Sequence, residues 1–144
     1  MLESSITWSQ IGALAVSQGP GAFTGIRLGL GVAQGLAYAQ QKPLIPIPSL
    51  DGMMAHALFF TNTKIQQAQT YRALLDARMR QVYCASYEID DHHALVRQES
   101  IQLINVQEID FKIKLIDYAY DMQSYIEDGS LPQSIKFISV SPHA

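Results

Sequence analysis

Cysteine is nearly absent from this 144-residue sequence, because Cys84 is the only one. A single thiol cannot form an internal disulfide, which excludes a small disulfide-stabilised scaffold and suits a reducing cytoplasm. No apolar run reaches the roughly 18 residues that a membrane-spanning helix needs, so no membrane segment is expected. The opening residues, Met1 to Ser5, show neither a basic region nor an apolar block, so no signal peptide is expected.

Basic residues are also few. Ten Lys and Arg are scattered against thirteen Asp and Glu, and the net charge is −3. A protein that binds nucleic-acid phosphates by itself usually has a basic face. Any contact with RNA is therefore expected to be indirect, through a partner. Hydrophobic residues make up 48% and charged residues 16% of the chain. This balance indicates a folded chain rather than a disordered one.

Helical and strand patterns alternate along the chain. Thr7 and Gln10 have the spacing of a capping box, which predicts a short helical turn. Apolar and β-branched segments predict strands, and the one that starts at Ile11 is predicted to be buried on both faces. The predicted strands span residues 11–17, 43–48, 71–77, 81–88, 95–104, 113–116 and 135–140. The predicted helices span residues 26–41, 50–60 and 121–128, with Ser49 and Asn105 as caps, and 62–69 is left as helix or loop. The order indicates an α/β fold with a mixed sheet and one tight hairpin at residues 78–80.

The predicted helix from Ile26 to Gln41 has two unlike faces. At 3.6 residues per turn, one face is apolar and suits packing on a sheet. It collects Ile26, Gly29, Leu30, Ala33, Leu36 and Ala37. The opposite face collects Arg27, Gly31, Gln34, Gly35 and Tyr38, with Leu28, Val32 and Ala39 as an apolar flank between the two.

Glycines inside a helix are costly, at roughly 0.5–1 kcal/mol each relative to alanine. Gly31 and Gly35 lie four residues apart, which strips side chains from one stripe and lets another backbone approach closely. Tyr38 and Arg27 are residue types favoured at interface centres, and Gln34 can hydrogen-bond across a contact. Two interpretations stay open: another helix of the same chain covers the stripe, or a partner subunit does.

A glycine-rich loop precedes this helix. Its residues are Gly19, Pro20, Gly21, Ala22, Phe23, Thr24 and Gly25. The loop lacks the Gly-Lys-Ser/Thr of a P-loop and the glycine spacing of a dinucleotide fingerprint, and Pro20 has no N–H to offer a phosphate. The pattern favours a structural turn that seats Phe23 in the core over an anion site.

Catalytic and metal-binding patterns are weak. Asp76, between strand residues and close to Arg78 and Arg80, is predicted to accept hydrogen bonds from turn amides or to pair with an arginine. Adjacent His92 and His93 point to opposite sides of an extended chain and do not chelate together easily. Cys84 lies in an apolar strand and is predicted to be a small core residue. No catalytic residue and no metal ligand is therefore assigned.

Several short motifs in the sequence resemble those of the TsaB (YeaZ) family. They are Gly19-Pro20-Gly21-Ala22-Phe23-Thr24-Gly25-Ile26-Arg27, Gly31-Val32-Ala33-Gln34-Gly35-Leu36-Ala37, Pro48-Ser49-Leu50, Leu75-Asp76-Ala77-Arg78 and Gln81-Val82-Tyr83. Their order and spacing also match, from about Ile11 to Tyr87. The set of motifs taken together is far more specific to the family than any single motif.

The resemblance implies an actin-like ATPase fold (ASKHA, ribonuclease H-like). It also implies a non-catalytic scaffold subunit of the cytoplasmic complex that forms N6-threonylcarbamoyladenosine (t6A) at position 37 of tRNA. Members of the family pair with TsaD, the catalytic paralogue, and an ATPase, TsaE, joins the pair. ATP and Mg²⁺ are used by the complex, and no cofactor is assigned to this chain. Homodimers through the same kind of helical surface are also implied, with Arg27, Leu28, Gly31, Gln34, Gly35 and Tyr38 as the partner-binding residues.

The sequence departs from the family pattern at both ends. Family chains usually begin with further strands and a long helix, so this chain is expected to comprise two partial domains, residues 1–88 and 89–144. The strand near residues 11–16 is then expected to lack a neighbour on one side. Two alternative functions remain open, an ATP-binding enzyme of the same fold and a glycoprotease-like peptidase.

Overall fold

The computed structural model describes residues 6–60, 69–92, 94–118, 122–134 and 137–140. The chain divides into two compact units, Met1–Ser49 and Leu50–Ala144. Each unit has its own sheet. These units are defined by packing, whereas the domain limits at residues 88 and 89 were taken from the resemblance and stay a prediction.

The first unit is a parallel strand pair joined by a helix. After a 3-10 turn at Trp8–Gln10, the chain forms β1 (Leu14–Gly19), α1 (Phe23–Ala39) and β2 (Leu44–Pro48). β1 and β2 run parallel in a register that pairs Leu14 with Leu44. α1 packs on β1, as expected for the crossover of a parallel pair.

The elements predicted for this unit are confirmed within a few residues, but the prediction for β1 needs correction. The Thr7 N–H donates to Gln10 Oε1 at 2.8 Å, which confirms the cap of the 3-10 turn. β1 begins later than predicted, at Leu14, and its side chains alternate between half-buried Leu14 and Val16 and exposed Ala15 and Ser17. In the described part of the chain β1 is thus covered on one face, not on both. A short apolar run of small residues has the same sequence pattern whether one face or both faces of the strand are buried, so the sequence does not distinguish the two cases.

The second unit contains a mixed sheet flanked by helices. Its elements are α2 (Ser49–Phe60), β3 (Tyr71–Arg78), β4 (Gln81–Ile89), β5 (Leu95–Arg97), β6 (Gln102–Asn105), β7 (Lys114–Tyr118), α3 (Gln123–Glu127) and β8 (Phe137–Val140). The strand order is β5-β4-β3-β7-β8, and β6 also pairs with β4. β3 is antiparallel to β4 and parallel to β7, which is in turn parallel to β8. The predicted α/β fold with a mixed sheet and a hairpin is confirmed.

Most element predictions in this unit are confirmed within a few residues. The segment 95–104, predicted as one strand, is two strands that both pair with β4. Asn105 caps the 3-10 turn Val106–Glu108, since its N–H donates to Glu108 Oε2 at 3.0 Å. Residues 61–68, most of the segment left as helix or loop, and His93 lie outside the described residues.

Two apolar clusters pack on the hairpin β3–β4, and strand alternation sends neighbouring residues to different clusters. The first cluster joins residues of α2 to the two strands, and it comprises Leu50, Met53, Met54, Ala57, Tyr71, Ala73, Ala85 and Tyr87. The second contains α3 and comprises Leu74, Val82, Cys84, Val106, Ile109, Met122, Tyr125 and Leu131. Cys84 is buried, and this burial raises the pKa of its thiol, so the core role predicted for it is confirmed.

A polar contact fixes α2 against the sheet. The buried hydroxyl of Tyr87 donates to Asp51 Oδ1 at 2.7 Å, and Arg97 Nη1 lies 3.0 Å from the same oxygen. Burial, followed by the Asp51 carboxylate, raises the pKa of Tyr87 above its ordinary range. The hydroxyl is therefore a neutral donor that holds the first turn of α2 on β4.

Candidate functional site

The outward face of α1 is exposed within the part of the chain that the structure describes. We call Arg27, Gly31, Gln34, Gly35 and Tyr38 the glycine ridge, and all five residues are exposed, Tyr38 to 89%. A Cβ built on Gly31 or on Gly35 meets no atom of the described chain within 4 Å, the helix's own nearby backbone aside. No described part of this chain therefore covers the ridge.

Apolar side chains border the glycine ridge. Leu28 is 68%, Val32 55% and Leu36 41% exposed. Leu36 was predicted to face the sheet, and Gly29 as well, but both are exposed. The narrower face of Ile26, Leu30, Ala33 and Ala37 is the half-buried or buried one, because in the described ranges α1 packs on a sheet of just two strands, β1 and β2.

The glycine loop supports the start of α1. Gly19 has φ +94°, a value that disfavours side chains, and a Cβ placed there would lie 3.0 Å from Ile26 Cδ1. A Cβ on Gly21 would lie 3.3 Å from the same methyl group. Ile26 therefore fills the space under the loop, and the loop is a tight turn as predicted. The Gly19–Pro20 peptide is cis.

Phe23 does not enter the core, which corrects the sequence prediction. Its side chain is 66% exposed at the first position of α1. The Arg27 guanidinium carbon lies 3.7 Å from the centre of the Phe23 ring, one helical turn away. Ile26 occupies the apolar position that Phe23 was assigned, and a cation–π contact restrains Arg27 on the ridge. Thr24 and Gly25 are exposed in the same turn.

The hairpin tip is a second organised feature. Arg78, Met79 and Arg80 all have left-handed backbones, with φ of +68°, +52° and +60°. The Asp76 carboxylate accepts from the Arg78 N–H at 2.8 Å and contacts the Arg78 guanidinium at 3.2 Å. This confirms the role predicted for Asp76, and it offsets part of the strain of the turn.

Tyr125 of α3 is a further partner of Asp76 that the sequence did not reveal. Its hydroxyl donates to Asp76 Oδ1 at 2.7 Å. The two residues are 49 positions apart, and no local pattern links them. Burial, and then the Asp76 carboxylate, raises the pKa of Tyr125 to about 12. The neutral phenol is a hydrogen-bond donor here rather than a base.

Among the described residues, no group of three or more His, Cys, Asp or Glu side chains is placed to hold a metal ion. Asp90 Oδ1 accepts from the N–H groups of His92 and Ala94, so Asp90 organises a polar turn here. No helix in the described ranges is long and apolar enough to cross a membrane.

Comparison with solved structures identifies the fold. YeaZ from Pseudomonas aeruginosa matches with a TM-score of 0.67 and 25% identity, covering 95% of this chain and 62% of that one. An uncharacterised P. aeruginosa protein, described as similar to peptidase YeaZ, matches with a TM-score of 0.65 and 26% identity, covering 93% and 59%. The parallel β1–α1–β2 unit and the mixed sheet are thus parts of an actin-like (ASKHA) α/β fold.

Sequence comparisons name the family. A family model for TsaD, tRNA N6-adenosine threonylcarbamoyltransferase, matches residues 1–136. TsaB of Haemophilus influenzae is 45% identical over 83 residues, which are 58% of this chain and 33% of the relative. TsaB of Escherichia coli is 39% identical over 89 residues, 62% of this chain and 36% of the relative. The chain belongs to the TsaB (YeaZ) family, within the proteins that this TsaD model describes.

Proteins named as transferases also match, over a shorter stretch. The tRNA N6-adenosine threonylcarbamoyltransferase of Syntrophobacter fumaroxidans is 42% identical over 52 residues, 36% of this chain and 15% of the relative. The chain spans about a third of the length of the TsaB proteins named above.

Proposed function

We propose that this chain is a non-catalytic subunit of the complex that forms N6-threonylcarbamoyladenosine at position 37 of tRNA, and that it acts by dimerising with a TsaD-type catalytic paralogue. Its curated relatives from H. influenzae and E. coli are named tRNA threonylcarbamoyladenosine biosynthesis proteins. The observation that carries the docking part is the uncovered glycine ridge of α1.

The glycines inside α1 lower the stability of the helix, and the chain alone does not recover that free energy. Gly29, Gly31 and Gly35 together destabilise α1 by about 2–3 kcal/mol relative to alanine. None of the three is pressed against a neighbour, since a Cβ at each would meet open space in the described chain. A partner backbone that approaches the bare stripe closely offers a physical reason for keeping these glycines.

The side chains around the ridge suit a protein partner. Leu28, Val32 and Tyr38 are large, apolar or aromatic, and more than half exposed on one helix. Adjoining exposed apolar groups of this kind mark interaction surfaces. Arg27 is restrained by its contact with Phe23, so it loses little additional freedom on binding. Tyr and Arg at the two ends of the ridge are the residue types that dominate interface energetics.

A paralogue of the same fold is the proposed occupant because this chain matches both TsaB-named and transferase-named proteins. We further propose that a TsaE-type ATPase joins the pair, that the complex uses ATP and Mg²⁺, and that tRNA meets this chain only through its partners. The net charge of −3 supports that indirect contact with tRNA. The proposed compartment is the cytoplasm.

Binding to the TsaD-type subunit encoded in the same genome tests the proposal. Gly31→Leu and Gly35→Leu place bulk on the ridge at sites where the free chain has room. We expect each variant to weaken binding at least about tenfold in calorimetry, because the partner backbone is pushed away. Gly12→Leu is the matched control, since Gly12 is also exposed with open space around it but lies outside α1.

Circular dichroism and thermal unfolding first establish that the variants are folded. Undiminished binding by folded Gly31→Leu and Gly35→Leu proteins contradicts the proposal. The isolated chain is also expected to bind no ATP in calorimetry with Mg²⁺ present. Tight ATP binding would instead favour the alternative of an ATP-using enzyme of the same fold.

A further inference from the structure

Met79 is the most exposed large apolar residue in the described part of the chain, at 92%. It lies at the tip of the β3–β4 hairpin, between Arg78 and Arg80, and all three residues have left-handed backbones. Met79 belongs to neither of the two apolar clusters that pack on the hairpin. Its thioether therefore lies in water and not in the core.

The other methionines that the structure describes are enclosed. Met53 and Met54 of α2 are 5% and 0% exposed in the first apolar cluster, and Met122 is 0% exposed in the second. Met1 lies outside the described residues. The fold thus gives solvent access to the thioether of Met79 and withholds it from three others.

Backbone contacts, rather than the Met79 side chain, hold the hairpin tip. The Arg78 N–H donates to Asp76 Oδ1 at 2.8 Å, and the Val106 N–H donates to the Arg80 carbonyl at 2.9 Å. Neither bond involves the side chain of Met79, so a chemical change at its sulfur leaves both in place. A polar group at this sulfur also costs no desolvation, because the residue is already in water.

The two neighbouring arginines favour water over a covering segment as the surroundings of Met79. The side chains of Arg78 and Arg80 are 88% and 68% exposed. A segment that covered Met79 would also have to exclude water from two guanidinium groups, which costs free energy unless new acceptors replace that water. The exposure of Met79 thus follows from residues of the hairpin itself.

Cys84 is the competing sulfur, and the fold makes it less reactive. A thiol reacts with an oxidant as its thiolate, and it has to be reached by that oxidant. Cys84 is only 2% exposed, and burial raises the pKa of its thiol. A thioether has no proton to lose, so the reactivity of Met79 depends on its exposure and not on a pKa. Among the described sulfur atoms, that of Met79 is the one a dissolved oxidant meets first.

We propose that Met79 is a site of reversible oxidation, at which hydrogen peroxide converts the thioether to a sulfoxide while the fold stays intact. The sulfur forms a bond to one peroxide oxygen, the O–O bond breaks, and the second oxygen takes the proton of the first and leaves as water. The sulfur loses two electrons and the peroxide gains them. The apolar end of the hairpin thereby becomes polar and accepts hydrogen bonds.

The reverse step requires a methionine sulfoxide reductase and two thiols. The sulfoxide oxygen leaves as water, and the two thiols are oxidised to a disulfide. An exposed hairpin tip is open to such an enzyme, whereas a methionine in an apolar cluster is not. This modification site lies outside α1 and does not depend on the proposed function.

Peptide mapping by mass spectrometry tests the proposal. The folded natural chain is treated with dilute hydrogen peroxide, and the sulfoxide at each methionine is followed over time after digestion with chymotrypsin. We expect Met79 to be oxidised at least about tenfold faster than the three enclosed methionines. The same treatment in concentrated urea is the matched control. There the four rates are expected to agree within about threefold, because unfolding removes the protection.

Thermal unfolding and enzymatic reduction measure the other two parts of the proposal. A chain oxidised at Met79 alone is expected to unfold within about 2 °C of the untreated chain, because no buried contact is lost. Met79→Leu keeps an apolar side chain but has no thioether, so it reports peroxide damage elsewhere in the chain. Reductases for both sulfoxide epimers, supplied with a dithiol, are expected to restore Met79 in the folded protein.

Four results overturn the proposal. They are equal rates at Met79 and at the enclosed methionines of the folded chain, oxidation of Cys84 before Met79, a fall in unfolding temperature that Met79→Leu does not share, and failure of the reductases on the folded protein. Gly31→Leu is expected to leave the oxidation rate of Met79 unchanged, and Met79→Leu to leave binding of the paralogue unchanged. The two proposals can therefore fail independently.

Discussion

Tyr125 of α3 donates a hydrogen bond to Asp76 at the base of the hairpin, with 2.7 Å between the hydroxyl oxygen and Oδ1. The same carboxylate oxygen accepts from the Arg78 N–H. Asp76 thus joins the second apolar cluster to the strained tip of β3–β4. Its side chain is only 10% exposed, and the bond from Tyr125 is partly shielded from water, whereas the Arg78 N–H is exposed.

Asp76→Ala is expected to destabilise the chain by about 2–3 kcal/mol in urea unfolding. The substitution leaves the Tyr125 hydroxyl without its acceptor and removes the turn bond of the Arg78 N–H, and an unsatisfied buried hydroxyl carries the cost of its desolvation. Asp110→Ala is the matched control, because Asp110 also accepts from the N–H two residues on but is exposed. Its cost is expected to stay within about 0.5 kcal/mol. Equal losses for the two variants would show that the contact with Tyr125 contributes nothing.

Stability is expected to fall between pH 10 and 12 through Tyr125. The ordinary pKa of tyrosine is 10.0, and burial beside Asp76 raises that of Tyr125 to about 12. A raised pKa means that the native state holds its proton longer than the unfolded state, so this contribution is complete below pH 10 and is lost as the pH rises towards 12. Unfolding by urea at a series of pH values measures the slope. Tyr125→Phe is expected to flatten it, and an unchanged slope would exclude Tyr125 as its source.

Glycines of the loop and of the ridge are expected to respond to alanine with opposite signs. Gly31→Ala and Gly35→Ala should each stabilise the isolated chain by roughly 0.5–1 kcal/mol, because they improve helix propensity in open space. Gly19→Ala should destabilise it by at least about 1 kcal/mol, because φ is +94° and Ile26 Cδ1 lies 3.0 Å from the new Cβ. Thermal unfolding measures both. A loss of stability at Gly31 or Gly35 would mean that part of this chain covers the ridge.

The hairpin tip is expected to gain stability from glycine. Arg80 adopts φ +60° with a side chain that is 68% exposed, so its Cβ strains the backbone without filling the core. Arg80→Gly should stabilise the chain by about 1 kcal/mol, since glycine has little penalty in the left-handed region. Arg80→Ala is the control, because it removes the exposed ion pair with Asp128 but keeps the Cβ. If both variants have the same stability, the turn is not strained at this residue.

Local patterns were sufficient for much of this molecule. The capping box at Thr7, the hairpin centred on Met79 and the inward position of Ala37 depend on residues a few positions apart, so periodicity and turn chemistry predict them. The exposed glycine ridge follows in the same way, because helical geometry alone separates Gly31 and Gly35 from Ala37. Family membership was also predictable from the sequence, since the family's motifs lie in order along the chain.

Other features depended on groups that are distant in sequence. Phe23 and Ile26 are both apolar residues at the start of α1, and only the fold of the loop decides that Ile26 packs under the loop while Phe23 stacks on Arg27. The contacts of Asp76 with Tyr125 and of Asp51 with Tyr87 join separate elements, so no local pattern contains them. The sequence by itself determined most of the elements, the exposed glycine ridge and the family, because these follow from short-range geometry and residue order. The tertiary structure alone decided which apolar side chain is buried and which carboxylate meets which hydroxyl, because those outcomes depend on how distant elements pack.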